Sequence, residues 1–537
     1  MPVSKSARPV DVPGSVPTQY KRAPPLGFLP NSPPNDANDA QGLSFRSKQP
    51  YPDYQNFPLG NRSPPLSHPS SNGGFAPNNA RLGAGEPANG IIQGDAFALD
   101  DDDDEQIQFL GIRPAQGTDK RRRTQRQNNG PFNTKSHEDD LNNGIIPGLT
   151  DALVFPSPPL IPEKLQKPSD IFLRQVHDIT PPQEPFDDDS GHYLVNVGEQ
   201  FANRYVITRL LGQGTFGRVA EAYDKVTFRR YAIKIIRAIP RYRDASKVEL
   251  RVLHMLSRYD GNNINRCIQL RECFDFRNHV CLVTDLLDIS VYDFLRENRF
   301  NPFPEQHVLA LARQLIKSVA YIHRLGLVHT DLKPENILLH DSSYDTCTYR
   351  RSPRGSTRQR RVLRNISTTL IDFGSAIFDD EFHPTVVSTR HYRAPEIILG
   401  TGWSFPCDMW SVGCVLVELC TGAVLFQTRD NFEHLHLIEK ALGRSFPPSV
   451  IRKAATTDQG ELFVDSAKGK LYPLSDSKQI KAVHDQLTIR ELLRKHIPMD
   501  SNTLFWNRLV DLVDRMLAID PNERITAEEA IQHPWFC

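Results

Sequence analysis

Gly212-Gln213-Gly214-Thr215-Phe216-Gly217 is a string that can do chemistry with its backbone. Glycines in such a loop let main-chain N–H groups approach phosphate oxygens closely. The string by itself also fits a dinucleotide-binding turn, which requires a helix directly after the glycines and an acidic residue about 20 positions further on. Here Val219-Ala220-Glu221-Ala222-Tyr223 reads as a second strand, and the strand after it carries Ala232-Ile233-Lys234 with no terminal acid. A lysine on the adjacent strand supplies a point charge for the α- and β-phosphates. Lys234 sits among Ile233, Ile235 and Ile236, so its strand is buried on at least one side and the ammonium needs a partner. Glu249 is the candidate. It lies 15 residues on, in a stretch where Val248, Val252, Met255 and Leu256 recur at helical spacing. Alone, Glu249 would read as an exposed helix glutamate; the loop and the lysine make it a partner.

A second constellation follows. His329-Thr330-Asp331-Leu332-Lys333-Pro334-Glu335-Asn336 is succeeded 36 residues after Asn336 by Asp372-Phe373-Gly374, and then by Ala394-Pro395-Glu396. With the glycine loop and Ala232-Ile233-Lys234 ahead of them, these strings resemble the eukaryotic protein kinases, motif by motif and in order, over about 187–537. The resemblance implies an α+β, bilobal protein-kinase fold with a β-rich small lobe (about 187–287) and an α-rich large lobe (about 288–537). It also implies ATP and Mg²⁺ as cofactors. Phosphoryl transfer passes through a loose transition state, so catalysis is mostly positioning and charge neutralisation. Asp331 would accept the hydrogen bond of the substrate hydroxyl, and Lys333 would reach the transferring phosphate. Lys234 and Glu249 complete the catalytic set. Asn336 and Asp372 are hard oxygen ligands suited to the metal. Gly374 would permit the turn that aims Asp372 inward. Nucleotide contacts are expected from Leu211, Gly212, Gln213, Gly214, Thr215, Phe216, Gly217, Val219, Ala232 and Lys234. The hinge is expected at Thr284-Asp285-Leu286-Leu287, with the backbone around Asp285 and Leu287 holding adenine. His329 and Phe373 read as packing residues, Glu396 and Arg524 as an ion pair bracing the large lobe, and Asp408 as an anchor for the catalytic loop.

Finer details resemble the LAMMER (CLK) kinases. Asp372-Phe373-Gly374-Ser375-Ala376, Ser388-Thr389-Arg390-His391-Tyr392-Arg393 and Trp403-Ser404-Phe405-Pro406-Cys407-Asp408 carry that likeness, as does Thr330 in the His-x-Asp position. The helix that names the family departs from its pattern, reading Glu433-His434-Leu435-His436-Leu437-Ile438-Glu439-Lys440. A DYRK-like kinase is the alternative, but no Tyr lies between Phe378 and Val387 to supply the expected Tyr-x-Tyr pair. The LAMMER resemblance implies a dual-specificity Ser/Thr kinase acting on Arg/Ser-rich splicing or RNA-processing proteins. Asp379, Asp380 and Glu381 are candidates for an acidic substrate groove. Many kinases place at Thr330 an arginine that clamps a phosphorylated activation segment; threonine cannot form that bidentate pair. Activity is therefore expected not to require phosphate on Thr385, Ser388 or Thr389.

The surrounding elements must hold these groups. Short β-type runs (His192 to Val195, Tyr205 to Ile207, Tyr231 to Ile236) precede longer helical ones such as Val308 to His323 and Asp408 to Thr421. Inserts are expected at about 340–368 and 444–503. The first is basic and holds Arg350-Arg351-Ser352-Pro353-Arg354, read as a solvated loop or as a decoy resembling a substrate. Before the enzyme, 28 of the 42 prolines precede residue 191, while all eight cysteines and all four tryptophans follow it. Residues 1–186 therefore read as a disordered Pro/Asn/Ser-rich tail. Its acidic run, Asp100 to Glu105, and basic run, Lys120 to Arg123, are solvated charge blocks; the basic one also fits a nuclear import signal, giving a nuclear and cytoplasmic expectation. Equal numbers of basic and acidic residues (64 each) argue against nucleic-acid binding. No apolar run is long enough for a membrane span or a signal peptide. The chain is expected to be a monomer. A pseudokinase scaffold is disfavoured, since Lys234, Glu249, Asp331, Asn336 and Asp372 are all present.

Overall fold

The computed structural model describes residues 108–109, 161–162, 164–169, 171–179, 185–349, 358–496 and 502–537, all within one compact unit, Ala96–Cys537. The charge runs at 100–105 and 120–123, and Arg350 to Arg354 of the first insert, lie outside the described residues.

A twisted sheet forms the first lobe. Its edge strand β1 (Arg174–Val176) lies parallel to a later strand, and the rest is antiparallel: β2 (Tyr205–Gly214), β3 (Gly217–Asp224), β4 (Arg230–Ile236), and, after helix α1 (Pro240–Tyr259), β5 (Leu270–Phe276) and β6 (His279–Asp285). Among these six strands the spatial order is β2-β3-β4-β6-β5-β1, and the short strands Gln108–Phe109 and Gln200–Phe201 also pair with β2. Alternation along β4 decides where Lys234 points. Ile233 and Ile235 are fully buried in a core with Phe201, Tyr205 and Phe274, so Lys234 must lie on the opposite face. Its cross-strand partners are Val219 and Leu282.

Helix α1 buries Tyr242, Ser246, Glu249, Leu253 and Leu256, a stripe at three- and four-residue spacing. Glu249 therefore faces inward because its apolar neighbours do. The second lobe is helical. It starts with α2 (Val291–Glu297) and α3 (Glu305–Arg324), passes through short strands β7 (Leu327–Val328) and β8 (Ile337–Leu339), and is centred on α5 (Pro406–Thr421), reached after the short α4 (Pro395–Ile398). Apart from the half-in Pro406, every residue of α5 is buried, so this helix forms the lobe's core.

The packed region begins earlier than the expected boundary near 187. Ile161, Leu165, Ile171 and Leu173 lie against the large core, and β1 extends the sheet. The first insert is a hairpin, not a solvated loop: Tyr344–Tyr349 pairs antiparallel with Arg358–Leu363. Three of its described arginines make contacts. Arg361 bonds Glu297 at 2.7 Å and lies over Tyr344, Arg360 lies over Tyr349, and Arg364 bonds Asp345. The second insert contains helices Pro448–Ala454, Ser477–Asp485 and Ile489–Arg494. The helix bearing the altered family motif, Asn431–Leu442, turns His434, Leu435 and Ile438 fully into the core, so that face is a packing face.

Candidate active site

Two polar clusters meet between the lobes. In the first, Lys234 Nζ donates to Glu249 Oε1 and Oε2 at 2.8 and 3.1 Å and to Asp372 Oδ1 at 3.1 Å. Burial alone would push the Lys234 ammonium down; the Asp372 and Glu249 charges overcome it and hold its pKa above the usual lysine range. Burial opposes ionisation of Asp372 as well, and Lys234 more than compensates, holding that carboxyl low. One ammonium thus faces two carboxylates, a site with excess negative charge that a divalent cation would balance.

Gly374 acts differently from the expectation. The left-handed residue is Asp372 itself, at φ 60°, while Gly374 supplies room. A Cβ there would lie 3.3 Å from Asp372 Oδ1 and 3.5 Å from both Lys234 Nζ and Glu249 Oε2. Gly217 is likewise needed for space, since a Cβ would fall 2.2 Å from the Ile235 carbonyl oxygen. Gly214 and Gly217 close the β2–β3 turn opposite one another. At its tip Phe216 packs edge-on against Tyr242 of α1, and Lys234 Nζ lies 6.0 Å from the Phe216 ring centroid. Val219 pairs across from Lys234, and Ala232 precedes Lys234 by two, so all three share the cleft face. Leu211 and Leu287 are half-buried, and the Asp285 carboxylate is turned to Arg271 at 2.5 and 2.8 Å.

The second cluster surrounds Asp331. Lys333 Nζ lies 2.9 Å from Asp331 Oδ2, and Asn336 donates its amide to the Asp331 backbone carbonyl at 2.8 Å. With that N–H₂ committed, the Asn336 Oδ1 is the acceptor suited to a metal, alongside the Asp372 carboxylate. Two hard oxygens beside a phosphate site fit Mg²⁺, which keeps water and phosphate ligands. Thr389 was missed as a site residue in the sequence, where it reads only as a phosphorylation candidate. Its hydroxyl donates to Asp331 Oδ1 at 2.6 Å and accepts from Lys333 Nζ at 2.9 Å. Burial would raise the Asp331 carboxyl; Lys333 and the Thr389 hydroxyl reverse this and hold it below the ordinary carboxylate range. Asp331 is therefore an anion at neutral pH, able to accept a substrate hydroxyl's proton in a hydrogen bond.

Buried braces fix the two clusters. Asp408 accepts the backbone N–H groups of His329 and Thr330 at 2.8 and 2.9 Å. The His329 ring packs on Phe373, centroids 5.1 Å apart, both fully buried. Glu396 and Arg524 form a bidentate pair at 2.6 and 2.9 Å.

Thr330 adopts φ 68° and donates its hydroxyl to the Ser375 carbonyl at 3.0 Å. It borders a cavity of about 470 Å³ between α1 and the activation segment. That segment, from Asp372 to Glu396, is pinned without any phosphate, partly by contacts to backbone carbonyls. Arg393 binds the Val387 and Ser388 carbonyls at 3.0 and 2.9 Å, and Trp403 donates to the Pro384 carbonyl at 2.9 Å. A phosphate on Thr389 would set negative charge against Asp331. Enzyme stripped of phosphate and verified by mass is therefore expected to keep its full turnover; a large drop after phosphatase treatment would refute this.

The acidic turn does not form a free substrate groove. Asp380 pairs with Lys167, Glu381 with Arg251 at 2.6 Å, and Asp379 accepts from Ser404.

Comparisons with known proteins agree with this geometry. The protein kinase domain family matches residues 205–536. The dual specificity protein kinase lkh1 of Schizosaccharomyces pombe is 50% identical over 364 residues, 67% of this chain and 51% of that protein, so the match spans about half of that relative. The serine/threonine-protein kinase AFC1 of Arabidopsis thaliana is 43% identical over 66% of this chain and 76% of its own length, and human dual specificity protein kinase CLK4 is 41% identical over 65% and 70%. A solved kinase-domain structure superposes with a TM-score of 0.60 at 33% identity, covering 65% of this chain and 100% of the other.

Proposed function

Because the chain belongs to the protein kinase family, in its LAMMER (CLK) branch, we propose that it transfers the γ-phosphate of ATP, with Mg²⁺, to Ser and Thr of Arg/Ser-rich proteins such as splicing or RNA-processing factors. The observation that carries the reaction is the ionised Asp331 held between Lys333 and Thr389. Asp331 orients the incoming hydroxyl for in-line attack, and Lys333 neutralises charge on the phosphoryl oxygens. Lys234, fixed by Glu249, positions the α- and β-phosphates. The backbone of Asp285 to Leu287 holds adenine. Asn336 and Asp372 would hold the Mg²⁺, whose charge offsets that of the phosphates. The relatives' dual specificity supports autophosphorylation on Tyr as well, and the basic run Lys120 to Arg123 supports a nuclear as well as a cytoplasmic location.

Support for basic substrates comes from carboxylates other than those of the 379–381 turn. Glu418 is 1% exposed and bonded by the Tyr392 hydroxyl at 2.7 Å. Burial, with the neighbouring Glu335 charge added, pushes its carboxyl up to about 7. Glu335 has a buried carboxylate oxygen without a protein partner, and its carboxyl is raised by burial although Lys333 opposes this. Asp293 and Asp331 add to the same field. Glu335, half-buried two residues after Lys333 and with one oxygen lacking a protein partner, is the carboxylate of this group that a substrate guanidinium would pair with.

The test compares an Arg/Ser-repeat peptide with neutral and acidic peptides. Transfer is expected to favour the Arg/Ser peptide. Glu335→Gln is expected to raise the KM for that peptide by roughly ten-fold, with kcat on the neutral peptide little changed. Equal KM for all three peptides would remove the basic-substrate reading and leave the kinase reading intact.

A further inference from the structure

We propose that residues 164–169 and 171–178 form an intramolecular strap that holds helix α1 and the start of the activation segment in the arrangement needed for phosphoryl transfer, with Lys167 and Arg251 as positioning residues. The strap's sequence is mostly polar and cannot form a core of its own; Phe172 is exposed and Val176 lies against the small-lobe core, which leaves Leu165, Ile171 and Leu173. They pack instead on the enzyme.

One end is anchored to the sheet. Strand β1 pairs with β5, Arg174 bonds Glu272 at 2.7 Å, and Asp178 takes both arms of Arg277 at 2.9 Å each. The other end reaches α1. Gln166 accepts from Arg258 at 2.6 Å and donates its backbone N–H to the Tyr259 hydroxyl at 3.0 Å. The Pro168 carbonyl accepts from Arg251 Nε at 2.9 Å.

Arg251 joins three parts of the molecule. It stands two residues after Glu249 on α1, holds Glu381 at 2.6 and 3.3 Å, and lies 5.2 Å from the Phe378 ring centroid. Lys167 lies 4.5 Å from the same ring and pairs with Asp380. Phe378 is fully buried, six residues after Asp372, and pairs with Leu327 just ahead of the catalytic loop. The strap therefore grips both carboxylates that hold Lys234, Glu249 through α1 and Asp372 through Phe378. Asp380 is 73% exposed, so its ion pair alone contributes little. Two cations over one buried ring and a bidentate Arg–carboxylate contact carry more. Helix α1 has reason to need this support. Its N-terminus has no side-chain cap and no acidic residue in the first turn, and Leu173 sits beside that turn with Pro240 and Arg243.

The inference rests on the phosphoryl-transfer reading but not on the substrate class, so a neutral peptide serves as acceptor. The full chain is compared with Ile171→Asp/Leu173→Asp, with Arg251→Gln and with all three changes together. Each set is expected to lower kcat by roughly five- to twenty-fold. The triple variant is expected to be no slower than the slower of the two, since both break one linkage. Amide exchange in 245–259 should quicken while Tm moves little. Should the strap variant fold poorly, Lys167→Glu gives the same test at a surface position, with a loss of roughly three-fold that Asp380→Lys restores. Wild-type turnover in the strap variants, or losses that multiply in the triple variant, would overturn the strap and leave the activity standing. Absence of transfer in every form, wild type included, would overturn the activity and the strap with it.

Discussion

Asp331→Asn is expected to lower kcat by about 10²–10⁴-fold on any peptide, with Tm and nucleotide binding close to wild type. The replacement keeps the side chain's shape. What it removes is the negative charge that Lys333 and the Thr389 hydroxyl stabilise. A neutral amide has one acceptor oxygen, and Thr389 already donates to one carboxylate oxygen while Lys333 and Asn336 approach the other. In the variant the incoming hydroxyl loses an anionic acceptor aligned for attack, whereas Lys234, Glu249 and Asp372 still meet the nucleotide. Single-turnover phosphotransfer with labelled ATP checks this, together with nucleotide affinity by titration. Turnover within a few-fold of wild type would show that Asp331 does not orient the hydroxyl. A fall in Tm matching the loss of rate would show that it acts through the fold.

Arg524→Ala is expected to destabilise the large lobe by about 3–5 kcal/mol and to lower Tm by on the order of 10 °C. Glu396 and Arg524 have side chains 2% and 0% exposed, so removing the guanidinium leaves a carboxylate buried without its charge partner. Arg524 also donates to the carbonyls of Pro406, at the start of α5, and of Ala518, and both would lose a partner. The double replacement Glu396→Leu/Arg524→Leu is expected to cost less than the single one, because no unpaired charge remains buried. Calorimetry on the full chain distinguishes these outcomes. A Tm within about 2 °C of wild type for Arg524→Ala would refute the bracing role.

The small-lobe strands were legible because β4 alternates: Ile233 and Ile235 face one way and Lys234 the other. Helix α1 was legible from its three- and four-residue apolar spacing, which also turned Glu249 inward. The first insert was harder to read. Its arginines resemble a solvated run, and only the pairing of Tyr344–Tyr349 with Arg358–Leu363 places the Arg361 and Arg360 guanidinium groups over Tyr344 and Tyr349. The described residues within 161–179 read as tail in the sequence because an extended edge segment has no periodicity of its own. Its stabilisation comes from a sheet edge and a helix far away in sequence.

Residue types and their order determined that this chain is a protein kinase, since each motif supplies a donor, charge or turn that phosphoryl transfer needs at a fixed place in the sequence. A charged Lys234 in an apolar strand called for an opposite charge and pointed to Glu249, whereas the Glu396–Arg524 pair followed from the resemblance. Which carboxylates remain open to substrate was decided only by tertiary structure. Asp380, Glu381 and Glu335 look equally available in sequence, but Lys167 and Arg251 pair with the first two, while one Glu335 oxygen has no protein partner. Thr389 likewise became a site residue only when the activation segment folded back onto Asp331. The physical reason is common to both. Local patterning reports which face of an element is buried, whereas ion pairing and hydrogen bonding depend on distances between segments widely separated in the chain, from 58 residues for Thr389 and Asp331 to 213 for Lys167 and Asp380.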